Sequence, residues 1–130
     1  MAHRILIVDD ERRIADTSAL ILQAQGYQTA VDYDAENGIA RCHEFHPHLI
    51  LTDVVMPGMS GIEMAVALRR ELPGCAILLI SGQAATADML ELARRQGHAF
   101  ELLAKPVHPT VLLKRVAQIL KTGDAVAVTK

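Results

Sequence analysis

The chain has 130 residues, a formal net charge of −2, 51% apolar residues and only 3% aromatic residues. This favours one close-packed α/β domain, with a core of Leu, Ile, Val and Ala, over an aromatic-rich β-sandwich. The 13 basic and 15 acidic residues are mixed along the chain, and no basic block indicates a direct nucleic-acid partner. No apolar run fits a membrane span or signal peptide, and two cysteines without a disulfide or zinc pattern favour a cytoplasmic location.

Strand-like apolar runs alternate with helical patterns along the whole chain. The predicted strands are Arg4–Val8, Gln28–Asp32, Leu49–Asp53, Ala76–Ile80 and Ala99–Leu103. The predicted helices are Glu11–Gln25, Ala35–Phe45, Gly61–Glu71, Thr86–Gln96 and Pro109–Lys121. This alternation predicts βαβ units and a parallel sheet covered by helices on both faces. The domain is predicted over residues 1–121, followed by a short disordered tail over 122–130.

Residues that start and end helices support these boundaries. Gly26 and Gly97 follow helical runs, where glycine commonly adopts the left-handed conformation. Asp34 is predicted to cap the second helix through its carboxylate. Ser60 and Glu63 have the spacing of a capping box, which predicts that the third helix begins directly after Ser60.

Polar residues follow four of the predicted strands at the same end. Asp9 and Asp10 follow the first strand, Asp53 ends the third, Ser81 follows the fourth and Lys105 follows the fifth. In a parallel sheet these carboxyl ends meet at one edge, which is where open α/β sheets bind ligands. Three crowded carboxylates repel one another, and oxygen ligands without His or Cys favour Mg²⁺.

The same residue types fit the transfer of a phosphoryl group. Lys105 can pair with a carboxylate or with a phosphoryl oxygen, and the hydroxyl of Ser81 can donate to that oxygen. Such donors, together with a metal, stabilise charge spread over transferring phosphoryl oxygens. Asp53 is the best-placed nucleophile among the acids.

Five motifs occur in order along the chain: V-D-D at 8–10, Asp53, M-P-G-M-S-G at 56–61, I-S-G at 80–82 and K-P at 105–106. With them, the chain resembles the receiver domain of two-component response regulators, the CheY-like family, from about Arg4 to Leu120. The resemblance implies a flavodoxin-like (βα)5 fold with strand order 2-1-3-4-5. It also implies that the bond between Lys105 and Pro106 is cis.

The resemblance further implies a role for each site residue. Asp53 would accept a phosphoryl group from a phosphohistidine. Mg²⁺ would be held by Asp10, by Asp53, by the backbone carbonyl of Val55 and, through water, by Asp9. Ser81 and Lys105 would contact the phosphoryl group and act in the conformational switch.

One position departs from the family pattern. Receivers usually carry Tyr or Phe three residues before the lysine, and that aromatic side chain turns inward during switching. Here Leu102 has that position, and the nearest aromatic residue is Phe100, which has the same strand parity. Either Phe100 does the switching around a local insertion, or the aromatic rotation is absent.

The resemblance predicts a signalling module rather than a conventional enzyme, one that catalyses only its own phosphorylation and dephosphorylation. Its partners would be a sensor histidine kinase or phosphotransfer protein and an unidentified downstream protein, with neither nucleic acid nor membrane as a direct partner. The chain would be a monomer or a weak dimer. The Met1 start and short tail favour a stand-alone regulator or phosphorelay intermediate over a piece of a larger chain.

Three other functions remain open alternatives. A flavin carrier of the same fold would need a Ser/Thr/Gly-rich phosphate cradle where this chain has D-D-E at 9–11. A phosphohydrolase would want a second acid two residues after Asp53, where Val55 stands. A degenerate receiver would bind partners without phosphorylation, against which the intact acids, Ser81 and Lys105 argue.

Two further groups of residues have simpler interpretations. Cys42, His43, His46 and His48 match no standard zinc spacing, so a metal site there is not favoured. Arg94 and Arg95 suit the negative end of the fourth helix. The alternative interpretation is that these arginines border a partner-binding face that also contains Phe100, Leu102 and His108.

Overall fold

The computed structural model describes residues 2–82 and 86–129, and of Thr86 and residues 122–129 it describes the backbone alone. The five strands are β1 Arg4–Val8, β2 Gln28–Asp32, β3 Leu49–Asp53, β4 Ala76–Ser81 and β5 Glu101–Ala104. The five helices are α1 Arg12–Gln23, α2 Ala35–Phe45, α3 Gly61–Glu71, α4 Thr86–Arg95 and α5 Pro109–Thr129. None of the described helices combines the length and apolarity needed to cross a membrane.

The strands form one parallel sheet in the order β2-β1-β3-β4-β5, which confirms the predicted flavodoxin-like topology. Helices cover both faces, so the central strands are apolar without alternation. In β3 every residue from Leu49 to Asp53 is buried.

Side chains of successive strand residues pack on opposite faces of the sheet. Leu6, Ile50 and Leu79 belong to the core beneath α2, α3 and α4. Ile5, Leu51 and Leu78 belong to the core beneath α1 and α5. The two layers fix the sheet's register, because a slip of one residue would exchange the faces.

The predicted helix boundaries at α2 and α3 are confirmed by their capping contacts. The Asp34 carboxylate accepts a hydrogen bond from the Asn37 N–H at 2.8 Å. The Ser60 hydroxyl accepts from the Glu63 N–H at 3.1 Å, and the Glu63 carboxylate accepts from the Ser60 N–H at 3.0 Å. This capping box places the start of α3 and therefore the end of the loop that follows Asp53.

Five elements differ from the sequence prediction. Three of them differ by one or two residues at an end: α1 is Arg12–Gln23 rather than Glu11–Gln25, β4 ends at Ser81 rather than Ile80, and α4 ends at Arg95 rather than Gln96. β5 begins at Glu101 rather than Ala99, because the chain between α4 and β5 stays irregular through Phe100. α5 continues to Thr129, so the predicted helix end at Lys121 was wrong and the backbone of 122–129 is helical rather than a disordered tail. Residues 83–85 lie outside the described residues.

Candidate phosphoacceptor site

The sheet register brings the predicted site residues to one edge. Val8 pairs with Thr52, so Asp9 and Asp53 both lie one residue beyond that pair. Ser81 pairs with Ala104 in β5, and the Lys105 N–H donates to the Ser81 carbonyl oxygen at 2.9 Å. The carboxyl ends of β1, β3, β4 and β5 therefore meet at one rim, as the topology requires.

Three acids form a cluster at this rim. One carboxylate oxygen from each of Asp9, Asp10 and Asp53 lies within 4.8 Å of the others. Asp9 and Asp53 are buried, whereas Asp10 is exposed. Among the described residues, no other group of three or more His, Cys, Asp and Glu side chains has this geometry. An all-oxygen set that is open on one side suits a hard divalent cation that keeps some of its water.

Lys105 supplies the positive charge of the site. Its Nζ lies 3.4 Å from Asp53 Oδ1, 3.6 Å from Asp9 Oδ2 and 3.9 Å from Glu11 Oε1. Burial alone would lower the pKa of Lys105, but the charges of Asp53 and Asp9 outweigh it and raise the pKa above its ordinary value. The ammonium therefore stays charged at neutral pH.

The two buried acids are less well compensated than the lysine. Burial raises the pKa of Asp9 and of Asp53, and the lowering effects of Lys105 and of nearby N–H groups only partly offset it. Those N–H groups belong to Glu11, which donates to Asp9 Oδ1 at 2.9 Å, and to Val54, which donates to Asp53 Oδ1 at 3.0 Å. One ammonium does not balance three carboxylates, and a bound cation would supply the missing positive charge.

The loop between β3 and α3 borders the acids. Val54 is fully buried, whereas Val55 is 46% exposed and leaves its part of the loop open to solvent. Gly58 has a φ of +78°, so the turn after Pro57 uses a conformation that favours glycine. The peptide bond between Lys105 and Pro106 on the opposite side of the site is cis, in agreement with the sequence prediction.

A fourth carboxylate ends a strand at the same edge and was missed in the sequence analysis. Asp32 closes β2 just as Asp53 closes β3, which was the available signal. Its carboxylate accepts hydrogen bonds from Arg41 Nε at 3.1 Å and Arg41 Nη2 at 3.4 Å. Its charge is paired with Arg41, and Asp32 is not part of the acid cluster.

The two candidates for the switch residue lie in different surroundings. Leu102, on β5, is 36% exposed and pairs with Leu79. Phe100 precedes β5 and lies four residues from Ala104, a distance of about 13 Å along an extended chain. The Arg69 guanidinium lies over the Phe100 ring, with its central carbon 4.5 Å from the ring centroid, and the His98 ring stacks on the Phe100 ring. Phe100 is therefore anchored at the end of β5 opposite to Ser81.

The cysteine and histidine residues between α2 and β4 have structural contacts. Burial raises the pKa of Cys42 to about 11 and that of Cys75 to about 12, so both thiols stay protonated. His46 ends α2 with a φ of +50°, and His48 Nδ1 accepts from the Arg4 N–H at 2.9 Å. Protonated thiols and a histidine nitrogen already in use do not favour a metal site.

A sheet of this order, with acids, a hydroxyl and a lysine at its carboxyl edge, defines the receiver class of signalling domains. A sequence model of the response regulator receiver domain matches residues 5–117. The chain therefore belongs to the response regulator receiver domain family, and its acid cluster is consistent with a phosphoacceptor function in two-component signalling.

Relatives and solved structures agree with this assignment. The DNA-binding response regulator MtrA of Mycobacterium tuberculosis is 33% identical over 124 residues, which are 95% of this chain and 53% of MtrA. A CheY-like receiver from Methanospirillum hungatei superimposes with a TM-score of 0.87 at 28% identity, covering 96% of this chain and 98% of that one. NtrX from Brucella abortus gives 0.87 at 27% identity, covering 99% of this chain and 29% of NtrX.

These relatives bear on the predicted partners. The chain spans about half the length of the curated relatives it matches first, and MtrA is described as DNA-binding. The prediction that nucleic acid is not a direct partner is therefore not borne out by the relatives. That prediction rested on the absence of a basic block, which describes the 130 residues of this chain and not the remainder of a protein such as MtrA.

Proposed function

We propose that Asp53 accepts a phosphoryl group from the phosphohistidine of a sensor histidine kinase or a phosphotransfer protein. A carboxylate oxygen of Asp53 attacks phosphorus and forms the P–O bond, while the P–N bond breaks and the imidazole keeps the electron pair. The observation that carries this proposal is the clustering of Asp9, Asp10 and Asp53 around the Lys105 ammonium at the sheet edge. We further propose a cytoplasmic location and a monomer or weak dimer.

The donor set fits Mg²⁺, with Asp10, Asp53 and the Val55 carbonyl as ligands and Asp9 acting through water. When bound, the cation would neutralise the acids and the oxygens of the incoming phosphoryl group. Lys105 is close enough to Asp53 to exchange its carboxylate contact for a phosphoryl oxygen after transfer. The Ser81 hydroxyl would donate to the same group, and both contacts would pull β4 and β5 toward Asp53.

We infer that the response does not use rotation of an aromatic ring. Phe100 is held by Arg69 and His98 at the far end of β5, and Leu102 has no aromatic ring to turn. The response would instead be a population shift of the chain between Ser81 and Lys105, which includes α4. That shift would change the affinity of the partner-binding face for a downstream protein.

The proposal is tested by incubating the protein with Mg²⁺ and acetyl phosphate and weighing it intact. The wild type should gain one phosphoryl group, and Asp53→Asn should gain none, because an amide cannot form the acyl phosphate. Asp88→Asn removes an exposed carboxylate from α4 and serves as the matched control, which should behave as the wild type.

Each other result of that experiment identifies an alternative. Incorporation into Asp53→Asn at the wild-type level would place the acceptor elsewhere. No incorporation into the wild type would favour the degenerate receiver that binds partners without phosphorylation.

Asp10→Asn should weaken Mg²⁺ binding measured by calorimetry, and an unchanged affinity would refute the assignment of Asp10 as a ligand.

A further inference from the structure

The residue before Asp53 has a hydroxyl in an otherwise apolar strand. Thr52 is 1% exposed, and its Oγ1 donates to the carbonyl oxygen of Asp53 at 2.9 Å. The pairing of β1 with β3 ends at Val8 and Thr52, so the Asp53 peptide lies beyond that ladder. A buried hydroxyl is costly without a partner, so its hydrogen bond holds this peptide in one orientation.

Gly61 closes the other side of the same peptide. A Cβ built at Gly61 would overlap the carbonyl oxygen of Asp53 and would lie 3.1 Å from Thr52 Oγ1. The Gly61 N–H donates to the Val54 carbonyl oxygen at 2.8 Å. The first residue of α3 therefore packs directly on the Asp53–Val54 backbone, and any side chain larger than hydrogen would push it away.

This contact determines where the reacting carboxylate points. The Val54 N–H donates to Asp53 Oδ1 at 3.0 Å and also to the Ile80 carbonyl oxygen at 3.1 Å. The peptide group between Asp53 and Val54 therefore makes both contacts. Its carbonyl oxygen accepts from the Thr52 hydroxyl, and its N–H donates to the Asp53 carboxylate. Val55 is the next residue after this peptide, so a rotation of the peptide would also move the Val55 carbonyl.

We propose that Thr52 is a positioning residue for the phosphoacceptor, acting through the backbone of Asp53 against Gly61. The inference rests on the proposed function of Asp53, because only a reacting carboxylate gives its orientation a kinetic consequence. Misplacement of a reacting group by a fraction of an ångström slows a reaction without changing its chemistry. Thr52 would thus affect the rate of phosphorylation without touching the phosphoryl group.

The test compares Thr52→Val, which keeps the shape but removes the hydroxyl, with Thr52→Ser, which restores the hydroxyl. Initial rates of phosphoryl incorporation from acetyl phosphate are measured at saturating Mg²⁺, together with Mg²⁺ affinity by calorimetry. We expect Thr52→Val to slow incorporation at least about fivefold, the factor that matches one buried hydrogen bond. Thr52→Ser should recover most of the wild-type rate.

Thr29→Val is the matched control, since Thr29 Oγ1 on β2 also takes part in a hydrogen bond, with Gln23 Nε2 at 2.7 Å. Thr29→Val should leave the rate of phosphoryl incorporation unchanged.

The inference is overturned if Thr52→Val reacts as fast as the wild type, or if Thr52→Ser is as slow as Thr52→Val. If the wild type takes up no phosphate, the proposed function fails. In that case the Mg²⁺ affinities test whether Thr52 orients the Asp53 carboxylate. A lower affinity in Thr52→Val that Thr52→Ser restores supports this role, and equal affinities in the three proteins overturn it.

Discussion

Every residue of β3 is buried, whereas in β5 Leu103 is buried while Glu101, Leu102 and Ala104 are exposed. The strand order explains the difference, because β3 lies at the centre of the sheet and β5 at its edge. β3 carries Asp53, and β5 leads to Lys105. The proposed acceptor thus ends a fully buried strand, and its cationic partner follows a strand with a single buried residue.

This difference assigns separate tasks to the two strands. A reacting carboxylate needs a fixed position, which a fully buried strand provides. A response to phosphorylation needs an element whose displacement costs little free energy, and exposed edge elements are of that kind. On this view, changes in β3 should affect folding and phosphorylation strongly, whereas changes around β5 should affect mainly the response and cost little stability.

The largest expected effect compares one leucine on each strand. Leu51 on β3 is 1% exposed, and Leu51→Ala should lower the free energy of unfolding by about 3 kcal/mol because it leaves a cavity. Leu102 on β5 is 36% exposed, and Leu102→Ala should cost below about 1 kcal/mol. Urea unfolding of the two variants and the wild type measures both values. Equal losses would remove the distinction between the strands.

The difference between β3 and β5 also explains how well each strand could be predicted from the sequence. β3 is an uninterrupted apolar run closed by Asp53 and a Pro-Gly turn, and its bounds were predicted correctly. β5 lacks such a signal, because an edge strand with one buried residue needs neither a continuous apolar run nor a clear alternation. Its predicted start at Ala99 was therefore two residues early.

Contacts made across the fold could not be predicted from local pattern. Thr52 is only a β-branched residue in an apolar run until α3 brings Gly61 against it. Asp32 was visible as an acid at a strand end, but its pairing with Arg41, nine residues later, depends on how α2 packs on β2. The acids of the cluster were predictable because parallel topology alone brings strand ends together.

A smaller effect concerns the anchored ring at the start of β5. Phe100→Leu removes the contact with the Arg69 guanidinium and should lower the free energy of unfolding by about 1 kcal/mol. The rate of phosphoryl incorporation should stay unchanged, because the ring lies far from Ser81 along the strand. A double-mutant cycle with Arg69→Met, measured by urea unfolding, isolates the pair. A marked change in the rate would instead show that Phe100 takes part in the site.

The smallest expected effect is a pH dependence that belongs to the β3 side of the comparison. The pKa of Asp53 and that of Asp9 are raised by burial, so the folded protein holds their protons more tightly than the unfolded chain does. Without Mg²⁺ their ionised forms destabilise the fold above the raised pKa values, and this penalty disappears as the pH falls toward their ordinary value of 3.8.

Asp53→Asn removes one of these charges and should stabilise the metal-free protein. The gain should be largest at neutral pH and should shrink as the pH falls toward the ordinary value of 3.8, because protonation of Asp53 then relieves the wild type. Urea unfolding at a series of pH values measures this, with Asp88→Asn on α4 as a matched loss of one exposed carboxylate. A loss of stability in Asp53→Asn at neutral pH that fades as the pH falls would mean that the pairing with Lys105 outweighs burial. In that case the acids of β1 and β3 would not need a cation to offset their charge, and the electrostatic reason for a metal at this edge would be lost.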